Sequence, residues 1–137
     1  MTKLNVKVLS PEAQLASAEA IEVSIPAVRG YMGLRPAHTP IIGQIGLGSL
    51  EIIKDSENRQ RFFVSGGYFE LIDDELTVLV DMIEKSEEID VKRIESSMER
   101  ALQRLNDKTD LNTDIPRALA SLERAKARKK LVDLSKA

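Results

Sequence analysis

The last glycine of this 137-residue chain is Gly67 and its last aromatic residue is Phe69. That break divides what the chain can fold into. Before it, apolar residues recur every second position and turn residues are frequent. From Glu87 on, apolar residues recur every third or fourth position, and neither a glycine nor an aromatic residue interrupts them. A period of two builds half-buried strands, and a period near 3.6 builds amphipathic helices. The chain therefore reads as a β unit followed by an α unit, with the boundary placed at 85/86.

Leu4, Val6 and Val8 alternate with Lys3, Asn5 and Lys7, a strand stopped by Ser10-Pro11. Ile21, Val23 and Ile25 give a second, stopped by Pro26. Ile41–Ile45 and Leu50–Ile53 read as short strands separated by Gly46 and Gly48, and residues 55–58 as a polar turn. Arg61–Ser65 holds Phe62, Phe63 and Val64, bulky side chains suited to a sheet. Gly66-Gly67 marks a tight turn or a close strand crossing. Phe69–Ile72, the turn Asp73-Asp74 and Leu76–Val80 complete the set. Short strands with frequent turns predict an antiparallel β-sandwich of about ten strands over residues 1–85. In residues 86–137, Val91, Ile94, Met98, Ala101, Leu102 and Leu105 form one helical stripe. Asp90 stands at its N-cap. Asn106–Asn112 is a polar connection, and Asp114 and Pro116 start a second helix. Its stripe is Ile115, Ala118, Leu119, Leu122, Ala125 and Val132, with Lys129 interrupting, so packing there should be weak. Two amphipathic helices joined this closely make an antiparallel hairpin. No internal repeat stands out.

The chain has no cysteine, which removes disulfides, Cys-type zinc sites and thiol catalysis. Its first residues alternate polar and apolar and resemble no signal or transit peptide. No segment approaches the roughly 20 apolar residues that span a bilayer, so membrane association is expected only through partners. Charge is unevenly spread. Residues 1–85 carry 8 basic and 12 acidic groups, a net of −4, whereas residues 111–137 carry 7 and 3, a net of +4. The basic end has no interleaved aromatic residues, so no nucleic-acid partner is expected; it suits an acidic protein surface.

The most specified stretch is Arg29–Ile41, with the only histidine, His38, two glycines and two prolines. A catalytic histidine needs a nucleophile and an orienting carboxylate, and a metal needs further ligands. Neither motif is present, and His38 is expected to bond to the loop backbone. The glycines form no phosphate-binding loop. The chemistry-bearing pattern lies in the helices. Arg93 and Arg100 share one helix face, and Arg124 and Arg128, four residues apart, share another. Guanidiniums so placed can clamp a polyanion such as a nucleotide's phosphates. They can equally form a solvated face paired with Glu95, Glu99 and Glu123.

Three strings carry a family resemblance: Gly30-Tyr31-Met32-Gly33-Leu34-Arg35-Pro36-Ala37-His38-Thr39-Pro40, Val64-Ser65-Gly66-Gly67-Tyr68-Phe69-Glu70 and Leu79-Val80-Asp81. In this order, followed by a helical hairpin, they resemble the epsilon subunit of bacterial F-type ATP synthases over the whole chain. The resemblance implies a non-catalytic rotor subunit, peripheral on the cytoplasmic side of the bacterial inner membrane, coupling rotation of the c-subunit ring to ATP synthesis in the head. It implies a sandwich that binds the gamma subunit and the c ring, with Gly30, Tyr31, Met32, Gly33, Arg35 and His38 at the rotor contact. It also implies a mobile hairpin that inhibits ATP hydrolysis when extended among the alpha and beta subunits, Arg117, Arg124, Lys126, Arg128, Lys129 and Lys130 meeting beta. No cofactor is required and no metal is implied. Some members bind a regulatory ATP in the folded hairpin; the matching positions are Glu84, Ile89, Asp90, Arg93, Arg100, Arg124 and Arg128, with Ile94 departing from the family's small alanine. The alternative from residues alone is a free-standing β-sandwich binding module that uses its hairpin as a clamp; arrival with gamma and the c ring on co-purification separates the two.

Overall fold

The computed structural model describes residues 2–12, 14–106 and 115–136. They divide into two compact units, Met1–Lys85 and Ser86–Ala137. Unit 1 has seven strands among the described residues: β1 Leu4–Leu9, β2 Gln14–Ala20, β3 Glu22–Ala27, β4 Gly30–Leu34, β5 Ile41–Ile53, β6 Arg59–Ile72 and β7 Glu75–Lys85. They form one sheet in the order β2-β1-β7-β6-β5-β3-β4. Only β1 and β7 run parallel. One buried cluster draws side chains from all seven strands, from Leu4 and Ala20 to Leu34, Phe62 and Val80. The sheet therefore folds over itself as a sandwich and encloses its own core.

The fold line is visible in the side-chain phase. In β6, Phe62 and Val64 point inward, and then Phe69 and Leu71 do. The inward set moves from even to odd positions. β5 makes the same switch between Ile45 and Leu50, and β7 between Val80 and the half-buried Ile83. The switches sit side by side, because Leu47 pairs with Ser65 and Ser65 with Met82. The sequence suggests breaks between short strands at the β5 and β6 places; they are bends inside long strands, and the described residues form seven strands where about ten were expected. Gly66 and Gly67 have φ of 80° and 137°, values a residue with a Cβ rarely adopts. They reverse the side-chain phase while the register with β7 is the same on both sides, Ser65 to Met82 and Gly67 to Val80. A Cβ on Gly67 would collide with the Leu79 carbonyl, so the close strand crossing is the feature present.

Two further strands were not legible. β2, Gln-Leu-Ala-Ser-Ala-Glu-Ala, has no β-branched residue, yet pairs with β1 from Leu4–Ala20 to Leu9–Gln14. β4 occupies the first half of the stretch read as an irregular loop and pairs with β3. In both, hydrogen bonding to a neighbouring strand overrides weak local preference.

Unit 2 contains a 3₁₀ turn, Ser86–Glu88, then α1 Val91–Asn106 and α2 Ile115–Lys136. The Asp90 carboxylate accepts the N–H groups of Lys92 (3.0 Å) and Arg93 (3.3 Å), the expected N-cap. Ile94 and Ala101 are buried on α1, and Ala118, Leu122, Ala125, Leu131 and Val132 on α2. Leu102, Ile115 and Leu119, assigned to the stripes, are exposed instead. Burial of Leu131 and Val132 also corrects the expectation of weak packing beyond Lys129. α2 packs on α1 and also on the 3₁₀ turn before it, the arrangement of an antiparallel pair. Apart from Asn106, the polar connection and the Asp114 start lie outside the described residues.

Candidate functional site

The loop that carries His38 contributes position rather than chemistry. Asp73 and Asp74 both have positive φ, 49° and 63°, which makes the two-residue β6–β7 connection the hairpin turn that matches strand twist. Asp74 Oδ1 accepts the Ala37 N–H at 2.7 Å, and the Asp74 carbonyl accepts the Asn5 N–H at 2.8 Å. One turn thus holds both the loop and β1. Ala37 is itself held at φ 65°. The His38 ring bonds through Nδ1 to the Thr39 carbonyl at 2.6 Å, as the backbone reading expects. Arg35 pairs with Glu22 at 2.9 Å, beside Gly33. Gly30 opens β4 at φ 132°, and Met32 packs on the core. The Tyr31 hydroxyl accepts the Ser49 N–H at 3.0 Å. Its ring end passes over Gly48, where a Cβ would meet the hydroxyl at 2.5 Å.

The surface that sequence reasoning missed is on the outer face of the sheet. Leu9 pairs with Leu79, Leu79 with Tyr68, and Tyr68 with Gln44, beside Ile42. Leu9, Leu79, Tyr68 and Ile42 form an apolar band across four strands, Ile42 standing diagonal to Tyr68 beyond the polar Gln44. Ile42 is 73% exposed, Tyr68 59% and Leu79 49%. Leu47 and Met82 extend it onto the fold line and are also exposed. Exposed apolar side chains are ordinary singly, but a contiguous band marks an interaction surface. Next to it, Glu70, Asp73 and Glu75 give an acidic margin around an open groove of about 410 Å³. The missed signal was one of phase: Tyr68 and Leu79 occupy outward positions, but only the cross-strand register makes them neighbours.

In unit 2, Ile89 is buried and Asp90 caps α1. Arg93 and Arg100 are exposed, while Arg124 and Arg128 are half-buried on α2. An antiparallel pair brings the start of α1, with Arg93, to the end of the hairpin that holds the C-terminal part of α2. Arg100 reaches Ser97 at 3.4 Å and Arg124 reaches Ser121 at 3.3 Å. Ile94 is buried in the hairpin, so its bulk is used in packing. Glu84 lies on β7 in the other unit. Lys126 pairs with Glu123 at 3.7 Å, and Arg117, Lys129 and Lys130 are exposed.

Two family models match the chain. The β-sandwich domain of the ATP synthase delta/epsilon chain covers residues 3–86, and the long alpha-helix domain of the same chain covers residues 87–132. The sequence is similar to the ATP synthase epsilon chain of Solibacter usitatus, 38% identical over 91% of this chain and 92% of that one. It is also 38% identical to the epsilon chain of Moorella thermoacetica, over 95% and 96%. Among solved structures it resembles a chain of the Euglena gracilis mitochondrial ATP synthase, in a structure of OSCP, F1 and c-ring. There the TM-score is 0.83 at 17% identity, covering 95% of this chain and 81% of that one. A chain from the central stalk and c-ring of the Tetrahymena thermophila enzyme matches at TM-score 0.61 and 12% identity, covering 96% and 97%. At such identities these two likenesses concern the fold.

Proposed function

The chain belongs to the ATP synthase delta/epsilon family, and from that premise we propose that it works as the epsilon chain, a non-catalytic central-stalk subunit of a rotary F-type ATP synthase. It couples rotation of the membrane c ring to ATP synthesis in the catalytic head and restrains ATP hydrolysis through its hairpin. The sandwich binds gamma and rests on the c ring; the extended hairpin meets alpha and beta. The subunit is peripheral, on the cytoplasmic side of the bacterial inner membrane. No helix among the described residues is long and apolar enough to cross a membrane.

The observation that carries this reading is the outer band of Ile42, Tyr68 and Leu79. The inner face of the sheet already closes a complete core, so folding of the sandwich does not account for apolar residues aligned on the outer face. A permanent partner does, and gamma is the partner proposed, its flank basic where it meets Glu70, Asp73 and Glu75. Aspartate at both Tyr68 and Leu79 should abolish co-purification with gamma while the isolated chain keeps its melting temperature within a few degrees. Full recovery of gamma with that double variant would remove the band from the interface.

The hairpin is further proposed to take one regulatory ATP, its phosphates on Arg93, Arg100, Arg124 and Arg128, with Ile89 and Asp90 completing the site. A ligand bound only by the folded hairpin shifts the population toward it. Calorimetry on the intact chain, with Arg124→Ala and Arg128→Ala for comparison, tests this; binding unchanged in the variants would exclude both residues.

A further inference from the structure

α1 and α2 carry one pattern twice. Asp-x-x-Arg-x-x-x-Ser-x-Glu-Arg-Ala-x-x-Arg begins at Asp90 and again at Asp114. The repeat escapes a linear reading because its apolar positions differ, and it becomes plain when burial is compared. Ala101 and Ala125 occupy the same place in the pattern, and both are buried. So do Ile94 and Ala118, also both buried. The side chains of the two copies adopt the same local arrangement, Arg100 on Ser97 and Arg124 on Ser121.

In each copy the first two arginines stand one position before a buried residue: Arg93 before Ile94 and Arg100 before Ala101, Arg117 before Ala118 and Arg124 before Ala125. One position is about 100° of rotation on an α-helix. Two antiparallel helices face each other with opposite axes, so the same offset from the shared seam turns both sets to one side of the pair. Arg104 and Arg128, four residues beyond Arg100 and Arg124, fall on that side too. Ser97 and Ser121 lie on the same side, nearer the seam. Glu99 and Glu123, one position earlier than the arginines, turn away from it. Among the described residues, Arg93, Arg100, Arg104 and Arg124 have no carboxylate within ion-pair distance. The hairpin thus presents a face of like charges drawn from both helices. From Arg93 to Arg104 it runs about 16 Å, longer than the triphosphate of one nucleotide.

We propose that this face binds extended inorganic polyphosphate, a chain long enough to lie across both copies of the pattern and to engage Arg104 and Arg117 as well as the arginines assigned above. Guanidinium forks match phosphate oxygens in pairs, and the serine hydroxyls add donors that suit phosphate. Binding relieves repulsion between like charges four residues apart, so the ligand also stabilises the hairpin. This site goes beyond the nucleotide reading, and its test involves no rotor partner, so its failure would leave the assignment to the rotor intact.

The test is calorimetry on the full chain with long-chain polyphosphate, tripolyphosphate and polyglutamate at matched charge concentration, with hydrogen exchange of α1 and α2 as the structural readout. Polyphosphate should bind at least about tenfold tighter than tripolyphosphate and should weaken steeply with salt. Arg104→Ala combined with Arg117→Ala should weaken polyphosphate about tenfold, leave tripolyphosphate within about twofold, and keep native helicity by circular dichroism. If that pair lost helicity, Arg104→Gln with Arg117→Gln would carry the same comparison. Equal affinity for the long and short phosphates overturns the proposal. So does polyglutamate binding as tightly as polyphosphate, which would make the face a general acidic-protein surface. A double variant that binds polyphosphate as the native chain does overturns it as well.

Discussion

Gly67 shows how one position can govern a sheet. Its φ of 137° and the Leu79 carbonyl against it leave no room for a Cβ. Gly67→Ala should therefore cost on the order of 2–4 kcal/mol, from backbone strain together with overpacking, read as a lower midpoint in urea. Ala37 is the converse case. It holds φ 65° with a side chain present, so Ala37→Gly should be neutral or stabilising by up to about 1 kcal/mol, whereas Asp74→Ala, which removes the acceptor for the Ala37 N–H, should destabilise. Asp55 provides a pH signature. Its carboxylate accepts from the Asn58 side chain and from the Glu57 and Asn58 N–H groups, each at 2.8 Å. These bonds, the Asn58 side chain foremost, hold its pKa below the ordinary carboxylate value. With the folded pKa depressed, the turn's contribution is complete above the unfolded value of about 3.9 and is lost as pH falls through the folded pKa. Titration of the Asp55 carboxyl by NMR, with exchange of the Glu57 and Asn58 amides, should show that order; an Asp55 midpoint at or above the ordinary value would contradict it.

Among the elements, α1 depends most visibly on a single cap. Asp90→Ala removes the acceptor for two N–H groups of the first turn and should cost about 1 kcal/mol. The loss should appear as faster hydrogen exchange in α1, with exchange in β5 and β6 unchanged. This cap was legible from the sequence because capping is local, set by a carboxylate two and three residues from the groups it serves. The strands were legible unevenly. β1 and β3 declare themselves through Val6, Val8, Val23 and Ile25. β2 does not, since its alanines and serine take a strand conformation only when β1 supplies the hydrogen bonds. The bends in β5 and β6 read as turns because paired glycines signal backbone freedom without saying whether the chain reverses there or only changes phase, and the bend in β7, which has no glycine, left no local signal.

For the whole molecule, the two units make separate failures expected. Truncation after Lys85 removes unit 2 at the boundary between the compact units. The remaining sandwich should still assemble with gamma, while restraint of ATP hydrolysis changes; a pull-down from membranes alongside a hydrolysis assay checks both, and loss of gamma on truncation would place the binding surface elsewhere. The sequence by itself determined the division into a β unit and an α unit, the cap at Asp90 and the centre of each apolar stripe, Ile94 and Ala101 on α1 and Ala118, Leu122 and Ala125 on α2. Each of these rests on residue type and on spacing within a few positions. Tertiary structure alone decided that Ile42, Tyr68 and Leu79 are neighbours, that three long strands bend along one line, and that arginines from two helices share a face. Those features depend on register and on the direction in which elements pack, both set by contacts between residues far apart in the chain.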